Sequence, residues 1–60
     1  MNKEELLELV NKIDQSKNNY VEFTINGPLG QTIRRADNYF TGKAIIEVWE
    51  KEIINAELKN

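Results

Sequence analysis

Lys43-Ala44-Ile45-Ile46-Glu47-Val48-Trp49-Glu50-Lys51-Glu52-Ile53-Ile54-Asn55-Ala56-Glu57-Leu58-Lys59 is the stretch whose reading decides the fold class. Its chemistry is mirrored about Glu50-Lys51-Glu52. Folded there as a hairpin, it sets Val48 against Ile54, Ile46 against Ala56 and Ala44 against Leu58 on one face. Trp49 then meets Ile53, Glu47 meets Asn55 and Ile45 meets Glu57 on the other. The hairpin uses every apolar residue, and Ile45-Ile46-Glu47-Val48-Trp49 is rich in β-formers. The same residues also carry a helical stripe of Ile45, Trp49, Ile53 and Ala56, for which Thr41 would be the N-cap. A helix leaves Val48, Ile54 and Leu58 scattered. The hairpin puts Glu52 where a three-residue loop prefers glycine. The hairpin is the preferred expectation, and the helix stays open as the alternative.

Working back from this segment, Tyr20 to Asn26 alternates Val21, Phe23 and Ile25 with Tyr20, Glu22 and Thr24, the pattern of a half-buried strand. Asn26-Gly27-Pro28-Leu29-Gly30 breaks it with turn chemistry. A second strand is expected over Gln31 to Ala36, held by Ile33. Asp37-Asn38 and Thr41-Gly42 read as bends. Residues 3–16 predict a helix, with Asn2 as N-cap, Glu5 at the capping-box position, and Leu6, Leu9, Val10 and Ile13 on one stripe. The predicted fold is α+β over residues 1–60 as a single domain. An N-terminal helix covers a four-stranded antiparallel meander, either a small sheet or a partly closed barrel, with α-β-β-α as the alternative. The expected inner face is Val21, Phe23, Ile25, Ile33, Ala44, Ile46, Val48, Ile54, Ala56 and Leu58.

Composition narrows the functional classes. Sixty residues bury only about 60% of the unfolded surface, so the chain is marginal alone and self-association is a natural stabiliser. Cysteine and histidine are absent, which removes disulfides and the usual zinc ligands. No cofactor is expected. The net charge is −2 with both signs interspersed, unlike the basic stripe of a general polyanion binder. No apolar run approaches the length of a membrane span. Met1-Asn2-Lys3-Glu4-Glu5 leads straight into the helix pattern rather than resembling a signal peptide, so a cytoplasmic location is expected.

Catalytic constellations fail on their chemistry. The one serine, Ser16, has no histidine to activate it. Glu50 with Glu52, and Glu4 with Glu8, are pairs for a solvated surface rather than an enclosed cleft. Thr41-Gly42-Lys43 lacks the upstream glycine and the following Ser or Thr of a phosphate loop. An enzyme is therefore not expected.

Binding is the expected role. Ile45, Trp49 and Ile53 form the apolar anchor on the outer face of the hairpin, with Tyr39, Phe40 and Arg34 at the rim. The expected protein is a small regulator or inhibitor that binds another protein or a second copy of itself. The alternative is an RNA or single-stranded DNA binder using Arg34, Arg35, Tyr39 and Lys43, in which arginine and an aromatic platform hold the strand. The helix, the Val21-x-Phe23-x-Ile25 strand ending in Asn26-Gly27, then Gly30-Gln31 and Asp37-Asn38-Tyr39-Phe40, resembles the opening of an Sm-like RNA-binding barrel. That resemblance covers about half the chain and implies a small barrel.

Overall fold

A computed structural model describes residues 1–60. The elements run α1 (Lys3–Asn11), a 3-10 turn (Gln15–Lys17), β1 (Tyr20–Gly27), β2 (Gly30–Ala36), α2 (Tyr39–Trp49) and β3 (Ile53–Lys59). The strands form one antiparallel sheet in the order β2-β1-β3. Because β2 and β3 each run antiparallel to β1, they run parallel to one another, and α2 carries the chain across one face of the sheet between them. The architecture is α+β, with both helices on one face and the other face open to solvent.

α1 begins as the sequence predicts: the Glu5 N–H donates to the Asn2 side chain at 2.9 Å. It stops five residues short of the expected end. Asp14 accepts from both the N–H and the hydroxyl of Ser16, and Asn19 accepts from the Asp14 N–H at 2.6 Å. Side-chain acceptors so close in sequence compete with the i−4 carbonyls that would continue a helix. The chain instead turns through Asn18, the one non-glycine residue in the left-handed region (φ 55°), and enters β1.

The segment 43–59 is neither a hairpin nor a continuous helix. The break at Glu50-Lys51-Glu52 is present, and residues beyond it form a strand. That strand, however, pairs with β1, and residues 39–49 are helical, so the sheet has three strands and not four. The sheet is open, and a helix stands where the barrel-like continuation required a strand. The helical stripe that decides this is Gly42, Ile45, Ile46 and Trp49. The first three are buried and Trp49 is half-buried against the core. Its N-cap is Asn38, whose side chain accepts the Thr41 N–H at 2.9 Å, rather than Thr41. The Asp37-Asn38 bend is thus a helix start, and Thr41-Gly42 is helix interior.

The core is Leu6 and Val10 from α1, Val21, Phe23 and Ile25 from β1, Ala36 from β2, Ile45 and Ile46 from α2, and Ile53 and Ala56 from β3. Five residues expected inside are exposed: Ile33, Ala44, Val48, Ile54 and Leu58. Each misplacement has a local cause. Ala44 and Val48 fall on the outer side of a helix. A register shift opposite Thr24 and Ile25 brings Ile53 rather than Ile54 onto the core face. Leu58 pairs with Val21 but stands at the edge of the sheet. For Ile33 the turn decides. Pro28 and Leu29 alone connect Gly27 to Gly30, which pairs Phe23 with Arg34 and Thr24 with Ile33. Paired residues share a face, so Arg34 lies on the helix-covered side and Ile33 on the open side.

Gly42 joins the two layers. A Cβ placed there would lie 2.5 Å from Val10 Cγ1 and 3.0 Å from Val10 Cβ, with Ala36 Cβ at 3.5 Å. The missing side chain lets α2 settle onto α1 and the end of β2 at once. Gly42→Ala should therefore destabilise the protein by about 1–2 kcal/mol through overpacking, although alanine is intrinsically the better helix former by about 1 kcal/mol. Urea denaturation checks this. In a Val10→Ala background the same substitution should lose most of its cost, because Cγ1, the nearest atom it meets, is gone while Cβ at 3.0 Å stays.

Candidate functional site

β2 carries two adjacent arginines on opposite faces of the sheet, and the structure treats them differently. Arg35 lies on the open face, opposite Glu22. Its Nε donates to Glu22 Oε2 at 3.1 Å, and its guanidinium lies 5.4 Å from the Tyr20 ring centre. Lys59 of β3 donates to the other oxygen of Glu22 at 3.0 Å and sits 3.7 Å from Glu57. Glu22, at the middle of the sheet with only 14% of its side chain exposed, is thus clamped from both sides. This clamp also relieves the direct opposition of Glu22 and Glu57 across β1 and β3.

Arg34 has no such partner. The ion pairs of the chain belong to Arg35 and Lys59. Arg34 instead stacks its guanidinium over Trp49, 4.4 Å from the ring centre. This is a cation–π arrangement that leaves the guanidinium edge and its donors free. α2 ends at Trp49, so beyond the ring the inner face of the hairpin has no cover. Ile25, Thr32, Arg34 and Trp49, with Pro28 and the fully exposed Leu29 at the turn, line a cleft of about 270 Å³ there. Its walls are mostly apolar, and its one charge is the Arg34 guanidinium. Two larger hollows, of about 640 and 870 Å³, flank the 3-10 turn. They are wide, and three of the polar groups in them are already engaged within the chain: Asp14 by Ser16, Asn19 by the Asp14 N–H, and Arg35 by Glu22.

The expected anchor is divided by the fold. Ile45 and Ile53 are core residues, and they are buried because α2 and β3 pack inward where a hairpin would have turned them out. Trp49 alone of that trio reaches the surface. Arg34, expected at the rim, is brought directly onto it. Tyr39 and Phe40 are not at this rim. They form an edge-to-face pair with ring centres 5.7 Å apart at the start of α2, roughly 15 Å along the helix axis from Trp49. There Phe40 is 80% exposed and helps to line the hollow beside Ser16 and Lys17. The set Arg34, Arg35, Tyr39 and Lys43 is not gathered into one surface: the arginines occupy opposite faces, and Tyr39 and Lys43 share the first turns of α2. Thr32, Pro28 and Leu29 are cleft residues that sequence reasoning missed. The signal available for them was the two-residue turn, which fixes Arg34 and Thr32 on the face of Phe23 and Ile25.

The chain matches no protein-family model and has no significant match among curated proteins or solved structures. No helix is long and apolar enough to cross a membrane.

The Glu22 clamp has a measurable signature. The Lys59 hydrogen bond, and secondarily that from Arg35, hold the Glu22 carboxyl below its ordinary value of 4.5 against the opposing effect of partial desolvation. Lys59 is raised above its ordinary 10.5, mainly by the hydrogen bond to Glu22. A lowered carboxyl stabilises the fold above pH 4.5, and that contribution disappears as pH falls through the folded value. A raised lysine stabilises below pH 10.5 and loses its contribution as pH rises through its folded value. Carboxyl-carbon NMR titration should show Glu22 titrating below the ordinary glutamate value of 4.5, and Lys59→Met should move it upward toward that value.

Proposed function

We propose that the protein is a small non-enzymatic binding protein, a regulator or inhibitor, which captures an apolar protein segment carrying a carboxylate in the cleft between Arg34 and Trp49. The observation that supports this is the free guanidinium stacked on the tryptophan ring at the mouth of an apolar cleft. Arginine and tryptophan are the residues most enriched at binding hot spots. A guanidinium resting over an aromatic ring, here 4.4 Å from its centre, is partly restrained before binding. Its planar fork matches a carboxylate, and charge-assisted hydrogen bonds are stronger than neutral ones. The apolar walls from Ile25, Pro28 and Leu29 add the hydrophobic contact that orients a neighbouring side chain. The partner's chemistry follows: an aspartate, a glutamate or a chain-terminal carboxylate, flanked by aliphatic residues.

A peptide library displayed on phage and panned against the protein tests this. Enriched peptides should carry an acidic group beside apolar residues. As single synthetic peptides they should quench or shift the fluorescence of Trp49, the only tryptophan in the chain. Arg34→Met keeps the aliphatic stem but removes the fork, so it should weaken those peptides by roughly 10- to 100-fold, the value of a hydrogen bond to a charged group. Enrichment of peptides without acid, or equal binding by Arg34→Met, would overturn the assignment. Oligonucleotide binding that falls steeply with salt and depends on Arg34, Arg35, Tyr39 and Lys43 would instead establish the nucleic-acid alternative.

A further inference from the structure

We propose that two copies of the chain pair through β2, antiparallel and centred on Ile33, to make one six-stranded sheet. β2 is an edge strand, and the hairpin register determines which of its backbone groups lack partners. The Asn26 N–H donates to Glu52 O at 2.8 Å, so the even-numbered residues of β1 direct their backbone groups toward β3. The odd-numbered ones, Val21, Phe23, Ile25 and Gly27, therefore bond to Ala36, Arg34, Thr32 and Gly30. The N–H and C=O groups of Gln31, Ile33 and Arg35 point off the edge of the sheet. No turn, cap or side-chain hydrogen bond takes them up.

Natural edges are commonly blunted by proline, bulges or exposed lysine. β2 has none of these over its seven residues, GQTIRRA, whereas β3 carries a register irregularity opposite Thr24 and Ile25. At its centre is Ile33, 60% exposed. Neither arginine guards the strand, because Arg34 is stacked on Trp49 and Arg35 is held by Glu22.

The strand is self-complementary in one register. With Ile33 opposite Ile33 of the second copy, Gln31 faces Arg35 and Thr32 faces Arg34. No like charges oppose one another, and the three outward-pointing residues of each strand bond mutually. The two exposed isoleucines become a cross-strand apolar pair. Moving the centre one residue toward Ala36 sets Arg34 against Arg34. Moving it one residue toward Gly30 sets Ile33 against Gln31 and shortens the overlap to Gly30–Arg34. A two-fold axis through Ile33 closes the assembly at two copies, and it leaves both Arg34–Trp49 clefts on the same face of the joined sheet. Pairing is independent of what occupies those clefts.

The chain contains no cysteine, so introduced thiols report on the seam alone. In the proposed register the two copies of residue 33 have Cα atoms about 5.5 Å apart, within disulfide reach. The two copies of residue 31 are roughly 14 Å apart, four residues of strand rise. The Ile33→Cys variant should oxidise to a covalent dimer at least tenfold faster than Gln31→Cys. Equal rates, or faster linkage at position 31, would overturn the register. Sedimentation of the unmodified chain should show a dimer that dissociates on dilution, and a monomer up to millimolar concentration would overturn the pairing itself. Ile33→Pro removes only an N–H that points off the edge, so it should sediment as a monomer with its circular dichroism kept. Continued dimerisation of that variant would place the seam elsewhere. If it fails to fold, the two cysteine variants decide.

Discussion

The two-residue connection between Gly27 and Gly30 determines how β2 meets the rest of the molecule. Side chains alternate along a strand, so the number of residues in a hairpin turn sets which half of each strand faces the core. Pro28 and Leu29 place Thr32, Arg34 and Ala36 on the side of Phe23 and Ile25, and Gln31, Ile33 and Arg35 on the other. One more residue in the turn would exchange these sets. It would bury Ile33, turn Arg34 to the open face and dissolve the cleft. The cleft, the Arg35 half of the Glu22 clamp and the choice of which β2 groups point off its edge all descend from this one count.

The helices build on that frame with little material to spare. Ten apolar residues make the core, few for burying two helices and a sheet. Close approach at Gly42 compensates by letting α2 rest on Val10 and Ala36. The helix ends at Trp49, where its stripe of Gly42, Ile45, Ile46 and Trp49 runs out. The distal part of the hairpin's inner face therefore has no helix over it, and there Arg34 and Trp49 cover each other. An element one turn longer would have sealed this end. The short helix leaves a surface that is chemically unfinished, with a ring, a cation and an apolar floor. The β2 edge is unfinished in a different sense, since its lack is of backbone partners.

Much of the fold is legible from local signals. Asn2 begins α1, the alternation of Val21, Phe23 and Ile25 marks β1, the Gly27–Gly30 turn is plain, and Glu50-Lys51-Glu52 breaks the last segment. The error at 43–49 arose because Ile45-Ile46-Glu47-Val48-Trp49 suits a strand by propensity and a helix by spacing. Its first core contact, Gly42, has no side chain to register in a hydrophobic pattern. Of the predicted site residues, Trp49 and Arg34 come together, while Ile45 and Ile53 go into the core and Tyr39 and Phe40 to the far end of α2. Ile45 could not be told from a surface residue without knowing which face α2 presents to the sheet.

The sequence by itself determined the α+β class, the N-terminal helix, the β1–β2 hairpin and the break after Trp49. These rest on caps, turns and periodicities that act within a few residues. Only the tertiary structure decided that residues 39–49 are helical and that β3 pairs with β1. It alone set Arg34 on Trp49 while Arg35 serves Glu22. Those outcomes depend on contacts between residues distant in the chain, Gly42 with Val10, Asn26 with Glu52, Glu22 with Lys59, and a local pattern carries no record of which distant partner will be there.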